Sequence, residues 1–197
     1  EVLNDDGTMA RRPDLERFAA GHGLAIGTIA DLIRYRLSKE SSIECVADRT
    51  VETEAGAFRM RWYVDRVHGR LHVALVRGDL GAVPPLVRVH VRDTARDLIG
   101  IRGEHAGWTL HAALRRIARE PHGIVVVLRP EESPEDIIGA GAHETGAEAT
   151  AGAVLRTYGI GAQILRDLGV TRMRVLSAPK QLLGIAAFGL EIAGYEE

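Results

Sequence analysis

The sequence predicts a mixed α/β fold, with strands and helices taking turns along the chain. Phe58, Met60, Trp62 and Val64 place apolar residues on every second position, the period of a half-buried strand. Trp108–Arg119 instead repeats on helical spacing through Leu110, Ala113, Leu114 and Ile117. Gly123–Leu128 is a dense β-branched run of the kind found in a fully buried strand. Strands that alternate with helices in this way argue for a mixed α/β core.

In chain order, residues 13–22 form the first expected helix. Pro13 suits its first turn, Leu15, Phe18 and Ala19 repeat at helical spacing, and Gly21 closes it. Leu24–Ile26 is a short strand candidate. Thr28 is placed to cap a second helix running to about Leu37, with Ile29, Leu32 and Ile33 on one face. Residues 38–52, with Ser38, Ser41, Ser42 and mixed charges, have the composition of a connector. His68-Gly69 marks a turn into a strand at Leu71–Val76, and Val83–Val91 is a further strand candidate interrupted early by Pro84 and Pro85. Gly139–Gly152 is rich in Gly and Ala and weakly patterned, as in a loop with a short helix. Tyr158–Leu168 then reads as a helix, Arg172–Leu176 as a strand, Lys180–Phe188 as a helical stretch and Leu190–Ala193 as a last strand.

At 197 residues the chain can bury a core and hold one domain plus an appendage. Its 46% hydrophobic and 26% charged content is ordinary for a soluble globular protein. A net charge of −2 gives no electrostatic case for a nucleic-acid partner. No apolar run approaches the length of a membrane span, and no secretory h-region opens the sequence, so no membrane partner is expected. The single cysteine, Cys45, excludes an intrachain disulfide and a multi-thiolate metal site, and agrees with a reducing, cytoplasmic location.

Two stretches carry a resemblance to known families. Residues 1–36, opening Glu1-Val2-Leu3-Asn4-Asp5-Asp6-Gly7-Thr8-Met9-Ala10-Arg11 and closing Gly27-Thr28-Ile29-Ala30-Asp31-Leu32-Ile33-Arg34-Tyr35-Arg36, resemble the carboxyl end of 3,4-dihydroxy-2-butanone 4-phosphate synthase. From Thr53-Glu54-Ala55-Gly56-Ala57-Phe58 onward the chain resembles GTP cyclohydrolase II, and Tyr158-Gly159-Ile160-Gly161-Ala162-Gln163-Ile164-Leu165-Arg166-Asp167-Leu168-Gly169-Val170 is a near-complete match. That order is the one of bifunctional riboflavin-biosynthesis proteins. The resemblance divides the chain into a synthase remnant at 1–37, a linker at 38–52 and a GTP cyclohydrolase II-like domain at 53–197. It implies that the upstream synthase half lies outside this sequence, since about 36 residues bury too little surface to fold alone.

The cyclohydrolase pattern reads R-V-H-S-E-C, a spacer, then C-D-C-G, and its thiolates hold a zinc ion whose bound water opens the guanine ring. The matching run here is Arg88-Val89-His90-Val91-Arg92-Asp93, then Asp97-Leu98-Ile99-Gly100 and Glu104-His105-Ala106-Gly107. The ligand positions are therefore Asp93, Glu104 and Ala106. Alanine cannot coordinate, and carboxylates suit harder ions than a thiolate site does. Zinc is not expected, no metal residue is assigned in this chain, and the usual route to hydroxide at neutral pH is lost. A substitute site of His105, Asp93 and Glu104 would need the fold to bring them together, which spacing does not establish.

Other pocket motifs of the family are partly kept. Arg88 matches its phosphate-contacting arginine and His90 its histidine, while Arg92 reverses the charge of the motif's glutamate. In Leu128-Arg129-Pro130-Glu131-Glu132-Ser133-Pro134-Glu135 the glutamate survives as Glu131, but Glu132 and Ser133 stand for a glycine and an arginine. With Glu135 and Asp136 this loop is acidic, and it would repel a triphosphate by on the order of several kcal/mol when poorly solvated. In Val154-Leu155-Arg156 the catalytic arginine survives as Arg156 and the proton-accepting acid becomes Val154. Ser177-Ala178-Pro179-Lys180-Gln181 keeps a hydroxyl and a lysine and loses both of the family's asparagines.

By resemblance, then, Arg88, His90, Glu131 and Ser177 are a vestigial nucleotide-binding set. Plainer roles are also open to them: arginines paired in the core or at a dimer contact, a hydrogen-bonded strand histidine, a solvated acidic loop. In the synthase remnant, Glu1 matches the glutamate that acts in proton transfer during enolisation of ribulose 5-phosphate. The resemblance implies a parent that converts ribulose 5-phosphate to 3,4-dihydroxy-2-butanone 4-phosphate plus formate, using magnesium. It implies no cofactor in this chain and a silent, homodimerising cyclohydrolase II-like domain. A nucleotide hydrolase with altered metal use, or a metabolite-sensing module, are the two other readings.

Overall fold

The computed structural model describes residues 2–28, 31–32, 35–36, 40–81, 83–101, 107–129, 134, 151–179 and 185–197. Among them are seven strands: β1 (Ile43–Thr53), β2 (Gly56–Asp65), β3 (Arg70–Arg77), β4 (Leu86–Val91), β5 (Gly123–Leu128), β6 (Arg172–Leu176) and β7 (Glu191–Glu196). They form one sheet in the order β1-β2-β3-β5-β4-β6-β7. The half from β1 to β5 is antiparallel, with tight turns joining β1 to β2 and β2 to β3, and β5, β4, β6 and β7 run parallel. Parallel neighbours need long crossovers. Helix α2 (Leu110–Ile117) lies on the connection from β4 to β5, and helix α3 (Ala151–Asp167) on the one from β5 to β6.

The two helices cover opposite faces. Alternation sends Tyr63, Val87, Ile124, Val126 and Leu128 to one side, where Ile160, Ile164 and Leu165 of α3 meet them. Phe58, Leu75, Leu86, Val125 and Val127 go to the other side, against Ala113 and Ile117 of α2. β5 sits between both helices and is buried along its whole length, as its unbroken β-branched run predicts. Glycine sets the spacing of one layer: a Cβ on Gly161 of α3 would stand 3.1 Å from Val89 Cγ1 and 3.7 Å from Leu128 Cδ1. Thr109 opens α2 by accepting the Ala112 N–H at 3.2 Å.

Several expectations are corrected. The first helix, α1 (Arg12–His22), runs through Gly21 and ends at Gly23, which takes the left-handed conformation at φ 64°. Leu24–Ile26 is no strand: the described chain there pairs with nothing regular, and Leu24 and Ile26 are exposed. Most of the 38–52 connector is strand β1. Its mixed charges belong to an edge strand with one wet face, where Ile43 alone is fully buried. Pro84 and Pro85 precede β4 and leave it to begin at Leu86. From the Lys180–Phe188 stretch the described part is a short 3-10 turn, Ile185–Phe188. The 139–150 part of the Gly/Ala-rich segment lies outside the described residues. Thr28 does cap, its Oγ1 accepting the Asp31 N–H at 3.0 Å. Among the described residues no helix is long and apolar enough to cross a membrane.

Candidate functional site at the end of strand β4

Arg88 and His90 share a face of β4 with Leu86, the face that α2 covers. Arg88 ends on main-chain oxygens from two other elements. Its Nη1 donates to Leu176 O at 3.0 Å, at the end of β6, and its Nη2 to Trp108 O at 3.4 Å, just before α2. Burial pushes this guanidinium below its ordinary pKa, nearby Arg96 adds to the effect, and Asp97 opposes it. The group that resemblance assigns to a phosphate is thus engaged with the backbone.

His90 is 6% exposed and lies with Nε2 2.7 Å from Asp97 Oδ2. A carboxylate only accepts, so Nε2 carries the proton. The same Oδ2 accepts the Asp93 N–H at 3.1 Å, and Asp97 Oδ1 accepts the Leu110 N–H at 3.3 Å. Burial works to raise the Asp97 pKa, but these hydrogen bonds outweigh it and hold the carboxyl below its usual range. One carboxylate therefore ties β4, the π-helical turn Ala95–Ile99 and the first turn of α2 together. Asp93 joins the same knot, its Oδ1 accepting the Arg96 N–H at 3.0 Å, and Arg96 Nη2 reaches across to Gly107 O at 3.2 Å.

These contacts decide whether the zinc of the resembling family fits. Asp93, at the first thiolate position, spends its carboxylate on the turn. Ala106 has no donor atom, and the chain's one thiol, Cys45, is on β1, separated from β4 by β2, β3 and β5. Among the described residues no group of three or more His, Cys, Asp or Glu side chains is placed to hold a metal ion. The residues present do not fit a thiolate zinc site.

Ser177 directly follows the carbonyl that Arg88 grips, and its hydroxyl donates to Ala178 O at 3.0 Å. The structure so brings Arg88, His90 and Ser177 to one end of the parallel half of the sheet. Glu1, Glu104, His105, Ala106, Glu131, Glu132, Ser133, Glu135, Asp136, Lys180 and Gln181 lie outside the described residues, and so does the side chain of Arg156. Sequence reasoning quoted Asp97 as part of a motif and gave it no role. No local pattern announces it, because its three partners come from three elements.

Comparison with known proteins agrees with this architecture. A model of GTP cyclohydrolase II matches residues 44–197, and one of 3,4-dihydroxy-2-butanone 4-phosphate synthase matches residues 1–35. A 3,4-dihydroxy-2-butanone 4-phosphate synthase of Pseudomonas syringae pv. tomato is 46% identical over 98% of this chain and 54% of its own length. Riboflavin biosynthesis protein RibBA of Bacillus subtilis is 40% identical over 98% of this chain and 52% of its own. The crystal structure of RibBX, a two-domain 3,4-dihydroxy-2-butanone 4-phosphate synthase from A. baumannii, superposes with a TM-score of 0.74 at 36% identity, covering 100% of this chain and 53% of that one. The chain spans about half the length of the curated relatives it matches. It belongs to the GTP cyclohydrolase II family, with a short segment of 3,4-dihydroxy-2-butanone 4-phosphate synthase ahead of that domain.

Proposed function

We propose that this chain is the C-terminal part of a riboflavin-biosynthesis protein whose synthase half makes 3,4-dihydroxy-2-butanone 4-phosphate and formate from ribulose 5-phosphate, with magnesium. Its cyclohydrolase II-like half does not hydrolyse GTP and acts as a scaffold for the synthase. The observation that supports this is the use made of the old pocket. Asp93 holds a turn, Arg88 is bonded to Leu176 O and Trp108 O, and Ala106 and Val154 cannot serve as ligand and base. Among the described residues no group is then placed to generate a nucleophile at neutral pH, a task that falls to the bound metal in this chemistry.

On this reading the protein works in the cytoplasm as a homodimer, binds no zinc, and needs neither nucleic acid nor membrane. Elemental analysis after purification without chelator, paired with an assay for formate released from GTP, tests it. Neither zinc nor GTP-dependent formate is expected, and about one zinc per chain or any such turnover sinks the reading. Light scattering tests the dimer. Specific interfaces bury about 1,200–2,000 Å² or more, enough to persist on dilution, so a monomer at micromolar concentration counts against self-association.

A further inference from the structure

Just ahead of β1 the chain is held against α3 at Ser42. Ser42 N–H donates to Gln163 Oε1 at 2.8 Å, and Ser42 Oγ lies 3.1 Å from the same oxygen. Ser42 O accepts the Arg66 N–H at 2.8 Å. Both main-chain groups of Ser42 are therefore held, one residue before Ile43 enters the α3-side core. Gln163 is 6% exposed on α3, flanked by Ala162, Ile164 and Leu165, all of which pack in that core. A buried amide costs free energy unless it is hydrogen-bonded, and Ser42 supplies two donors to the Oε1 of this glutamine in an apolar row. Upstream of Ser42, Ala19 is the single buried residue among those described.

We infer that Gln163 is the positioning residue of the joint between the two parts of the protein: α3 grips the connector at Ser42, and the synthase-side segment takes its orientation from that grip. The second half of this statement rests on the proposal that the domain serves the synthase; the first half does not.

Hydrogen exchange on the full-length protein tests the joint, comparing wild type with Gln163→Leu, Gln163→Glu and Ser42→Ala. Leucine fills the space without an acceptor, glutamate keeps the acceptor, and Ser42→Ala keeps the N–H. The peptide spanning 40–45 should exchange about tenfold faster or more in Gln163→Leu, with peptides of β3 and β5 changed less than about twofold. Gln163→Glu and Ser42→Ala should stay near wild type. Unchanged exchange at 40–45 in Gln163→Leu with the sheet intact overturns the joint. Should leucine unfold the sheet, Gln163→Glu decides: protection retained at 40–45 supports the joint, and protection lost there with the sheet intact overturns it. Synthase assays of the same variants separate the two claims. A loosened joint should lower kcat with KM held, and glutamate should rescue it. A loosened joint with unchanged synthase kinetics leaves the joint standing and defeats the scaffold reading.

Discussion

On the α3 face of the sheet, Ile160, Ile164 and Leu165 meet Val126 and Leu128 in an apolar layer that Gly161 allows to close. On the α2 face, at the end of β4, Arg88, His90, Asp93, Arg96 and Asp97 form a polar knot in which every described bond runs to backbone or to another member. The first region carries the Tyr158–Val170 run, which nearly matches the family pattern, while the second holds no cysteine. The difference teaches that a fold and its chemistry rest on separable sets of residues. Packing tolerates a buried polar cluster provided its groups find partners.

The largest effect is expected on the packed side. Ile164 is wholly buried, and Ile164→Ala should cost about 2–5 kcal/mol through lost burial plus the cavity left behind. Denaturant unfolding measures it, and a cost below about 1 kcal/mol would mean that α3 does not pack tightly on this face. On the polar side, Asp97→Ala strands the His90 Nε2–H and the N–H groups of Asp93 and Leu110. A cost of about 1–3 kcal/mol is expected. The pH dependence has a fixed sign. Because Asp97 sits below its ordinary value of 3.8 when folded, its contribution is complete above that value and drains as pH falls through the folded one. Wild type and Asp97→Ala should therefore converge in strong acid; a gap that widens there contradicts the assignment.

The same contrast explains what could be foreseen. Phe58 to Val64 and Gly123–Leu128 were legible as strands, as was the helix at Tyr158–Leu168, but the alternation of β2 missed the burial of Tyr63, on the face that α3 covers. β1 was missed because an edge strand with Glu44, Asp48 and Glu52 on its exposed positions has the composition of a linker. The Leu24–Ile26 strand failed for the opposite reason: three apolar residues meant nothing without a partner. In the site, the absence of cysteine at positions 93, 104 and 106 is legible from residue types alone. The new wiring was not, since Asp97 is joined to residues on both sides of it by bonds that only the fold brings about.

Restoring cysteine at positions 93, 104 and 106 sharpens the comparison from the chemical side. The variant should regain about one zinc per chain, read by elemental analysis, and still release no formate from GTP, since Val154 remains. Without metal it should be less stable than wild type by about 1 kcal/mol, because the Asp93 carboxylate no longer caps the turn at Arg96. GTP turnover in this variant would show that the thiolates were the one missing part.

The smallest effect is expected in a half-buried ring of charges away from both regions. Arg116 and Arg174 each pair with both Glu120 and Glu196, a closed ring that ties the end of α2 to β6 and to the last strand, β7. The bond from Arg116, then the one from Arg174, hold Glu120 below its ordinary value of 4.5 in spite of burial. Its contribution is present above that value and is lost as pH falls through the lower folded one. Side-chain exposures of 17–35% keep solvent and salt close to these charges, so the ring is discounted accordingly. Glu120→Gln keeps a hydrogen-bonding oxygen and removes one charge. Thermal or urea unfolding should find it about 1 kcal/mol less stable or better than that, with the gap narrowing in high salt as screening grows. A loss above about 2 kcal/mol that salt does not touch would place this ring among the buried, indispensable networks. The contrast between the two faces of the sheet would then have to be drawn around three regions instead of two.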